Sequence, residues 1–379
     1  MPAMDLKGWA PKGLGPDLAD AQRPAGSDSA HPNGGRAPGL HTYAALDLGT
    51  NNCRLLVARP AREGFRIIDA FSRIVRLGEG VSASGRLGEQ AIRRTLAALD
   101  VCRDKMDLRG VTRARLIATE ACRMADNGAE FIDRVRERTG LDLEIVDRET
   151  EAHLAAAGCA ALADPRARGV VLFDIGGGSS EIVWLAQGQD RGQASAEGGR
   201  SGDIRSRVRH WASLKLGVVT LAEKFGGVHV TPEIFDAMVA HVAEELADFC
   251  ARVAEETRCD SFHLLGTSGT VTTLAGVHLG LLRYDRRRVD GLWMMDAEID
   301  DALDRLRAMS YDERVANGCI GAERADLVLA GCAILEAIRQ AFPSKRVRIA
   351  DRGLREGILA ELMSADGVWR DGDRGQQRR

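Results

Sequence analysis

No window of about 18 apolar residues occurs in the chain, so none of it reads as a membrane-crossing helix. The N-terminus also lacks the basic-then-apolar pattern of a secretory signal. Eight cysteines (Cys53, Cys102, Cys122, Cys159, Cys250, Cys259, Cys319, Cys332) include no C-x-x-C and no Cys/His pair at zinc-finger spacing. They are expected to be reduced, mostly buried thiols of a cytoplasmic protein. Neither sign of charge dominates: the formal net charge of -3 gives no global pull toward nucleic acid or an anionic membrane. The two basic runs, 283–290 and 205–210, read as solvated faces. Proline is sparse outside the start, since six of ten fall in residues 1–41, among Gly, Asp and Ala with no hydrophobic period. That segment is expected to be a disordered leader.

What remains is 45% hydrophobic and 28% charged over 379 residues, enough for two domains with real cores. Apolar, β-rich runs alternate with helical patterns. "YAALDL", "CRLLVARP" and "FRIIDAFSRIVRL" suggest three early strands, and "GEQAIRRTLAALDVCRDKMDL" a helix with Ile92, Leu96, Leu99 and Val101 near one face. "RARLIATE" reads as a strand, "AEFIDRVRERTG" as a helix closed by glycine, and "LDLEIVD" as another strand. From 170 the order begins again with "GVVLFDIGGG" and "EIVWLAQ", then helices, then the strand "FHLLGT" entering a helix at about 269. Residues 187–207 form a low-complexity patch, expected as a surface loop or hairpin tip, and the tail after about 366 is polar. The fold class is α/β with mixed sheets, made twice.

Laying Asp47 on Asp174 aligns Asp-Leu-Gly-Thr with Asp-Ile-Gly-Gly, and each stretch then resumes an apolar strand. In both copies a strand ends at an aspartate, turns through small residues and returns as a hairpin. Bare backbone lets a tetrahedral anion approach, and successive N–H groups form a nest of positive potential suited to phosphate. Glycines 176–178, framed by Asp174 and Glu181, give the stronger signal, with hard oxygen ligands beside the cradle as Mg²⁺ prefers. Hairpin turns use such glycines too. Gly266, Ser268, Gly269 and Thr270 form a third glycine-rich point between a strand and a helix N-terminus, where a capping role competes with anion binding.

These stretches, with "ATEACRMADNGAEFIDRV", "LEIVDRETEAHLAAAG", "SLKLGVVTLAEKF", "ERADLVLAGCAIL" and "DRGLREGIL", run in order from about 43 to 362 and resemble the exopolyphosphatase/guanosine pentaphosphate phosphohydrolase (Ppx/GppA) family of the actin/Hsp70/sugar kinase superfamily. The resemblance implies two ribonuclease-H-like domains with a cleft between them. Domain I is expected over 42–150, completed by a C-terminal helix at about 352–365, and domain II over 151–351. It further implies that metal-assisted water attacks the terminal phosphate of a linear chain.

Residue by residue, Glu151 matches the catalytic base, and Asp174 and Glu181 match acids that bind Mg²⁺ or Mn²⁺ or orient water. Gly176, Gly177, Gly178 and Ser179, with Asp47, Gly49, Thr50 and Asn51, match phosphate-cradling loops. Arg54, Arg123 and Arg324 match basic positions facing the substrate, joined on the residue pattern by Ser268 and Gly269. His153 departs from the arginine of many relatives, a change bearing on chain-length or nucleotide preference. The 187–207 insertion and the stop near 379, without the helical domains that long members use to hold polyphosphate and dimerise, are further departures. A homodimer is left open.

The expected activity is exopolyphosphatase, with hydrolysis of the 5′ γ-phosphate of guanosine pentaphosphate as the alternative on the same site. A polyphosphate:ADP phosphotransferase and a non-enzymatic actin-like or Hsp70-like nucleotide switch are the rivals of other classes.

Overall fold

A computed structural model of the chain describes residues 41–62, 64–187, 204–258 and 261–369. Nearly all of the leader, the interior of the 187–207 patch and the end of the tail lie outside the described residues.

Two mixed sheets organise the molecule. The first has the order β3-β2-β1-β4-β5, from β1 (Tyr43–Leu48), β2 (Asn52–Pro60), β3 (Phe65–Ile74), β4 (Arg113–Ala118) and β5 (Glu144–Ile145). The second has the order β10-β11-β9-β6-β7-β8, from β6 (Gly169–Ile175), β7 (Ser180–Ala186), β8 (Val208–Leu214), β9 (Phe262–Thr267), β10 (Trp293–Met295) and β11 (Arg346–Ala350). Each sheet is built on an antiparallel hairpin whose first strand also has a parallel neighbour: β1 pairs with β2 and β4, and β6 pairs with β7 and β9. The duplicated order is therefore present in the sheets themselves.

Strands β1 and β6 are buried on both faces, as their unbroken apolar runs require. The helix Glu89–Leu108 covers one face of the first sheet, burying Ile92, Leu96 and Leu99. Cys102, fully buried, takes the place expected of Val101, which is only half-buried. The opposite face is covered by the helix Leu354–Ala365, whose Leu354, Ile358, Leu359 and Met363 pack on Tyr43, Ala45 and Leu56.

Three local expectations are corrected. "LDLEIVD" forms only the two-residue β5, because it borders Ile117 and Ala118 at the edge of the sheet and then turns into a helix capped by Asp147. "FRIIDAFSRIVRL" leaves the sheet at Ile74, and the N–H groups of Val75 and Arg76 turn to the carbonyl of Asn51. After "EIVWLAQ" the second sheet gains the further strand β8, antiparallel to β7, in the place read as helical. No helix of the described residues is long and apolar enough to cross a membrane.

Candidate functional site

The two hairpin tips meet. In the first, Gly49 N–H donates to the Asn52 carbonyl (2.9 Å), and the Thr50 carbonyl accepts from Gly78 N–H (2.9 Å). In the second, Gly176 N–H donates to the Ser179 carbonyl (3.0 Å). The carbonyls of Gly176 and Gly177 accept from Val218 and Val219 at the start of the helix Val218–Phe225 (3.0 and 2.8 Å).

A Cβ on Gly178 would lie 2.5 Å from Thr50 Oγ1, and one on Gly177 would lie 3.1 Å from the Asn51 backbone nitrogen. The bare backbone at 177 and 178 is thus demanded by tip-to-tip packing before any ligand is considered. What distinguishes the place chemically is the set of side chains around it.

Four carboxylates gather beside the tips. Asp47 is the cross-strand partner of Arg54, and Asp174 that of Glu181, so each hairpin carries its pair on one face. Burial drives all four acids upward: Asp174 to about 6, Glu151 to about 7, Glu181 well above its ordinary value, and Asp47 in the same direction. Mutual repulsion adds to this. Asp47 raises Asp174, both raise Glu151, and Glu151 and Asp174 raise Glu181. Arg54 and Arg355 oppose the rise at Asp47 and Asp174, and Arg123 opposes it at Glu151.

Glu151 sits one turn into the helix Arg148–Cys159, whose start is fixed by the Asp147 side chain accepting from Thr150 N–H at 2.7 Å. The helix itself is held against Leu354–Ala365 by glycines. A Cβ on Gly158 would lie 1.8 Å from the Gly353 carbonyl oxygen, and one on Gly357 would lie 2.0 Å from that of Leu154. His153 on the same helix has Nδ1 2.8 Å from the Glu149 carbonyl.

The structure gives Arg123 an occupation other than facing substrate. Its Nε and Nη2 donate to Glu120 Oε2 (2.9 and 2.6 Å), Nη1 to the Val146 carbonyl (2.6 Å), and Nη2 also to Glu151 Oε2 (2.8 Å). Arg148 Nη2 takes the other Glu120 oxygen at 2.6 Å. Arg123 is therefore a clamp that orients Glu151. Its neighbour Glu120 lies in the quoted "ATEACRMA" stretch, but nothing in a lone sequence separates that acid from one at an ordinary helix start.

The side chains of Arg54 and Arg324, by contrast, make no hydrogen bond or ion pair among the described residues, and both line the cavities beside the tips with Ser268 and Gly269. The larger of these cavities, about 560 Å³, is also lined by Asp47, Asp174 and Arg355. Arg355 belongs to the "DRGLREGIL" stretch, and its reach into the site depends on the return of the last helix, which the motif alone does not encode.

Ser268 holds φ 81, a left-handed conformation unusual for a non-glycine residue, and its side chain works against the upward shift of Asp174. Buried Asn51 Oδ1 and Asn52 Oδ1 have no partner among the described residues, a polar demand that a ligand or ordered water could meet.

The donor set can be tested for a divalent ion. Among the described residues no three His, Cys, Asp or Glu side chains form a ready cage. Glu181 Oε1 accepts from Ser179 Oγ (2.8 Å) and Ser213 Oγ (2.9 Å), while no hydrogen bond among the described residues goes to Oε2. Two adjacent carboxylates with an oxygen to spare fit Mg²⁺ held jointly by protein and phosphate oxygens, the ion's usual arrangement.

The model of the Ppx/GppA phosphatase family matches residues 56–366. A guanosine-5'-triphosphate,3'-diphosphate pyrophosphatase of Photobacterium profundum is 27% identical over 335 residues, 87% of this chain and 61% of that protein. Exopolyphosphatase 2 of Mycobacterium tuberculosis is 27% identical over 336 residues, 85% of this chain and 99% of that protein. A crystal structure of the Aquifex aeolicus member of the family superposes with TM-score 0.68 at 28% identity, covering 86% of this chain and 98% of the other. The chain thus spans less than two thirds of the Photobacterium relative but nearly all of the other two.

Proposed function

The chain belongs to the Ppx/GppA phosphatase family, and from that premise we propose that it is an exopolyphosphatase, hydrolysing the terminal phosphoanhydride of a linear polyphosphate to orthophosphate. The observation that carries the reading is the gathering of Glu151, raised to about 7, with Asp47 and Asp174 of the two hairpins, the last two lining a cavity that Arg54 and Arg324 also line.

In this reading the terminal phosphoryl group rests against the backbone of 49–51 and 176–179, and Arg54 and Arg324 neutralise its oxygens. Phosphoryl transfer asks mainly for such positioning and charge stabilisation. Glu151 Oε2 is oriented by Arg123 and accepts the proton of the attacking water; its raised pKa suits a base working near neutrality. The bond from phosphorus to the water oxygen forms as that to the bridging oxygen breaks, and the shortened chain leaves as a phosphate anion. Asp174 and Glu181 would hold Mg²⁺ or Mn²⁺, which when bound supplies charge neutralisation to the phosphate oxygens.

A second reading, hydrolysis of the 5′ γ-phosphate of guanosine pentaphosphate, is favoured by the size of the 560 Å³ cavity, which extends past the arginines to Phe71 and Tyr284 and offers room for a nucleoside. Both substrates are named among the relatives. Parallel initial-rate assays on the two substrates separate the readings: a higher kcat/KM on polyphosphate supports the first, and the reverse order replaces it with the second.

A further inference from the structure

Behind the hairpin tips lies a second chamber of about 300 Å³ that the reaction described above does not use. Thr50 and Gly178, the two residues in closest tip-to-tip contact, form part of its wall. Lys215 and Lys224 are exposed at its rim beside His241, and Lys224 Nζ is 3.1 Å from His241 Nε2. Its one carboxylate is that of Glu120, whose oxygens are already taken by Arg123 and Arg148. Among the lining side chains the two lysines therefore outnumber a single carboxylate that is already paired, a balance that favours an anion.

The chamber's place relative to the reaction is informative. In an in-line displacement the incoming water and the leaving chain lie on opposite sides of the transferred phosphorus. Arg54 and Arg324, which in the proposed reaction meet the anionic chain, line other cavities that share no residue with the chamber. Glu120 in the chamber's wall shares Arg123 with the base Glu151, which ties the chamber to the side of the site where the base stands. Orthophosphate carries the water oxygen, and it is formed with its new oxygen toward the lysines.

We propose that the chamber walled by Thr50 and Gly178 and rimmed by Lys215 and Lys224 is a second anion site, distinct from the chain-binding cavities, that receives orthophosphate on its way out. The proposal rests on the phosphohydrolase reading for its direction of flow, but the anion site itself does not.

The test compares the wild type, a Lys215→Ala/Lys224→Ala double variant and Arg324→Ala. Each is titrated with inorganic phosphate by calorimetry without turnover, then assayed for product inhibition against polyphosphate. Both lysines are exposed, so thermal melts of the double variant are expected to match the wild type. The expected result is a loss of phosphate affinity on the order of tenfold in the double variant, a matching weakening of phosphate inhibition, an unchanged KM for the chain, and inhibition noncompetitive with the chain. Arg324→Ala raises that KM and weakens phosphate binding less than the double variant does. Phosphate binding that survives loss of both lysines overturns the proposal, as does purely competitive inhibition abolished by Arg324→Ala. If lysine-dependent binding is seen but neither polyphosphate nor guanosine pentaphosphate is hydrolysed, the functional reading fails and the anion site stands.

Discussion

Arg123 Nη2 donates to Glu151 Oε2 at 2.8 Å while the same guanidinium grips Glu120 and the Val146 carbonyl. A carboxylate that burial pushes toward neutrality is thus held in one orientation by a cation that is itself fixed at three points. Orientation comes from Arg123 and basicity from burial, and the two can be separated by substitution.

Glu151→Gln keeps the size of the side chain but cannot take a proton. Its kcat is expected to fall by about 10² to 10⁴ with little change in substrate affinity. In the wild type kcat/KM should rise through a limb near pH 7, the value to which Glu151 is raised, and that limb should be absent in the variant. Near-normal kcat in stopped-time phosphate release would remove Glu151 from the base role and turn attention to Glu181.

Arg123→Gln removes the charge that holds Glu151 down, so the pH limb should move upward while kcat drops. KM should change less than in Arg324→Ala, because the donors of Arg123 are committed within the protein. A large rise in KM with an unmoved pH limb would return Arg123 to the substrate.

Stability should carry the same signature. Glu151 and Asp174 are raised in the folded state from 4.5 to about 7 and from 3.8 to about 6. The native state then binds more protons than the unfolded state over that interval. Their contribution is fully present below about pH 4 and is lost as pH rises through 6 to 7. Melting temperature measured from pH 5 to 8 should fall more steeply in the wild type than in Glu151→Gln; parallel curves would show that Glu151 does not titrate there.

Chelation tests the two acids on the second hairpin. Phosphate release is expected to require Mg²⁺ or Mn²⁺ and to cease in EDTA, since repulsion between the chain and Asp174 and Glu181 is otherwise unrelieved. Added Mg²⁺ should also lessen the loss of melting temperature at pH 8. Full turnover with all divalent metal removed would refute the assignment.

Gly158→Ala introduces a methyl 1.8 Å from the Gly353 oxygen, where only backbone could yield. A cost of about 1–3 kcal/mol is expected in denaturant melts, with a fall in kcat beyond that of stability-matched surface variants because the helix carrying Glu151 is displaced. A variant as active and stable as the wild type would mean that the two helices are not held backbone to backbone.

Much of the fold was legible because the paired hairpins announce themselves twice, in Asp47 to Val57 and in Asp174 to Trp184, with small residues at each turn. The half-buried β8 was not, since Val208–Leu214 mixes Arg, His and Ser with Val, Trp and Leu and follows a low-complexity stretch. Residues of the candidate site that share one loop, such as Asp174 to Ser179, were legible as a group because a motif holds them together. Arg123 reads in the sequence as a basic position facing substrate, and its partners Glu120, Val146 and Glu151 come together only when β4, the loop after β5 and the Arg148 helix converge, which no spacing encodes. Arg355 was missed for a similar reason, because its nearness to Asp47 depends on how the chain's last helix returns.

The Arg148–Cys159 helix gives Leu154 to the core shared with Tyr43 and Ile358, and Ala152, Ala155, Ala156 and Cys159 to the core shared with Val170, Leu172 and Leu265. A repeat written end to end in the gene is therefore not a line along which the molecule can be cut. Severed before residue 148, the first fragment loses both the helix and the returning C-terminus that roof its sheet; severed after 159, the second exposes an apolar floor. Neither piece is a self-sufficient module, and mixing them should restore activity only if the stranded helix finds both of its seats.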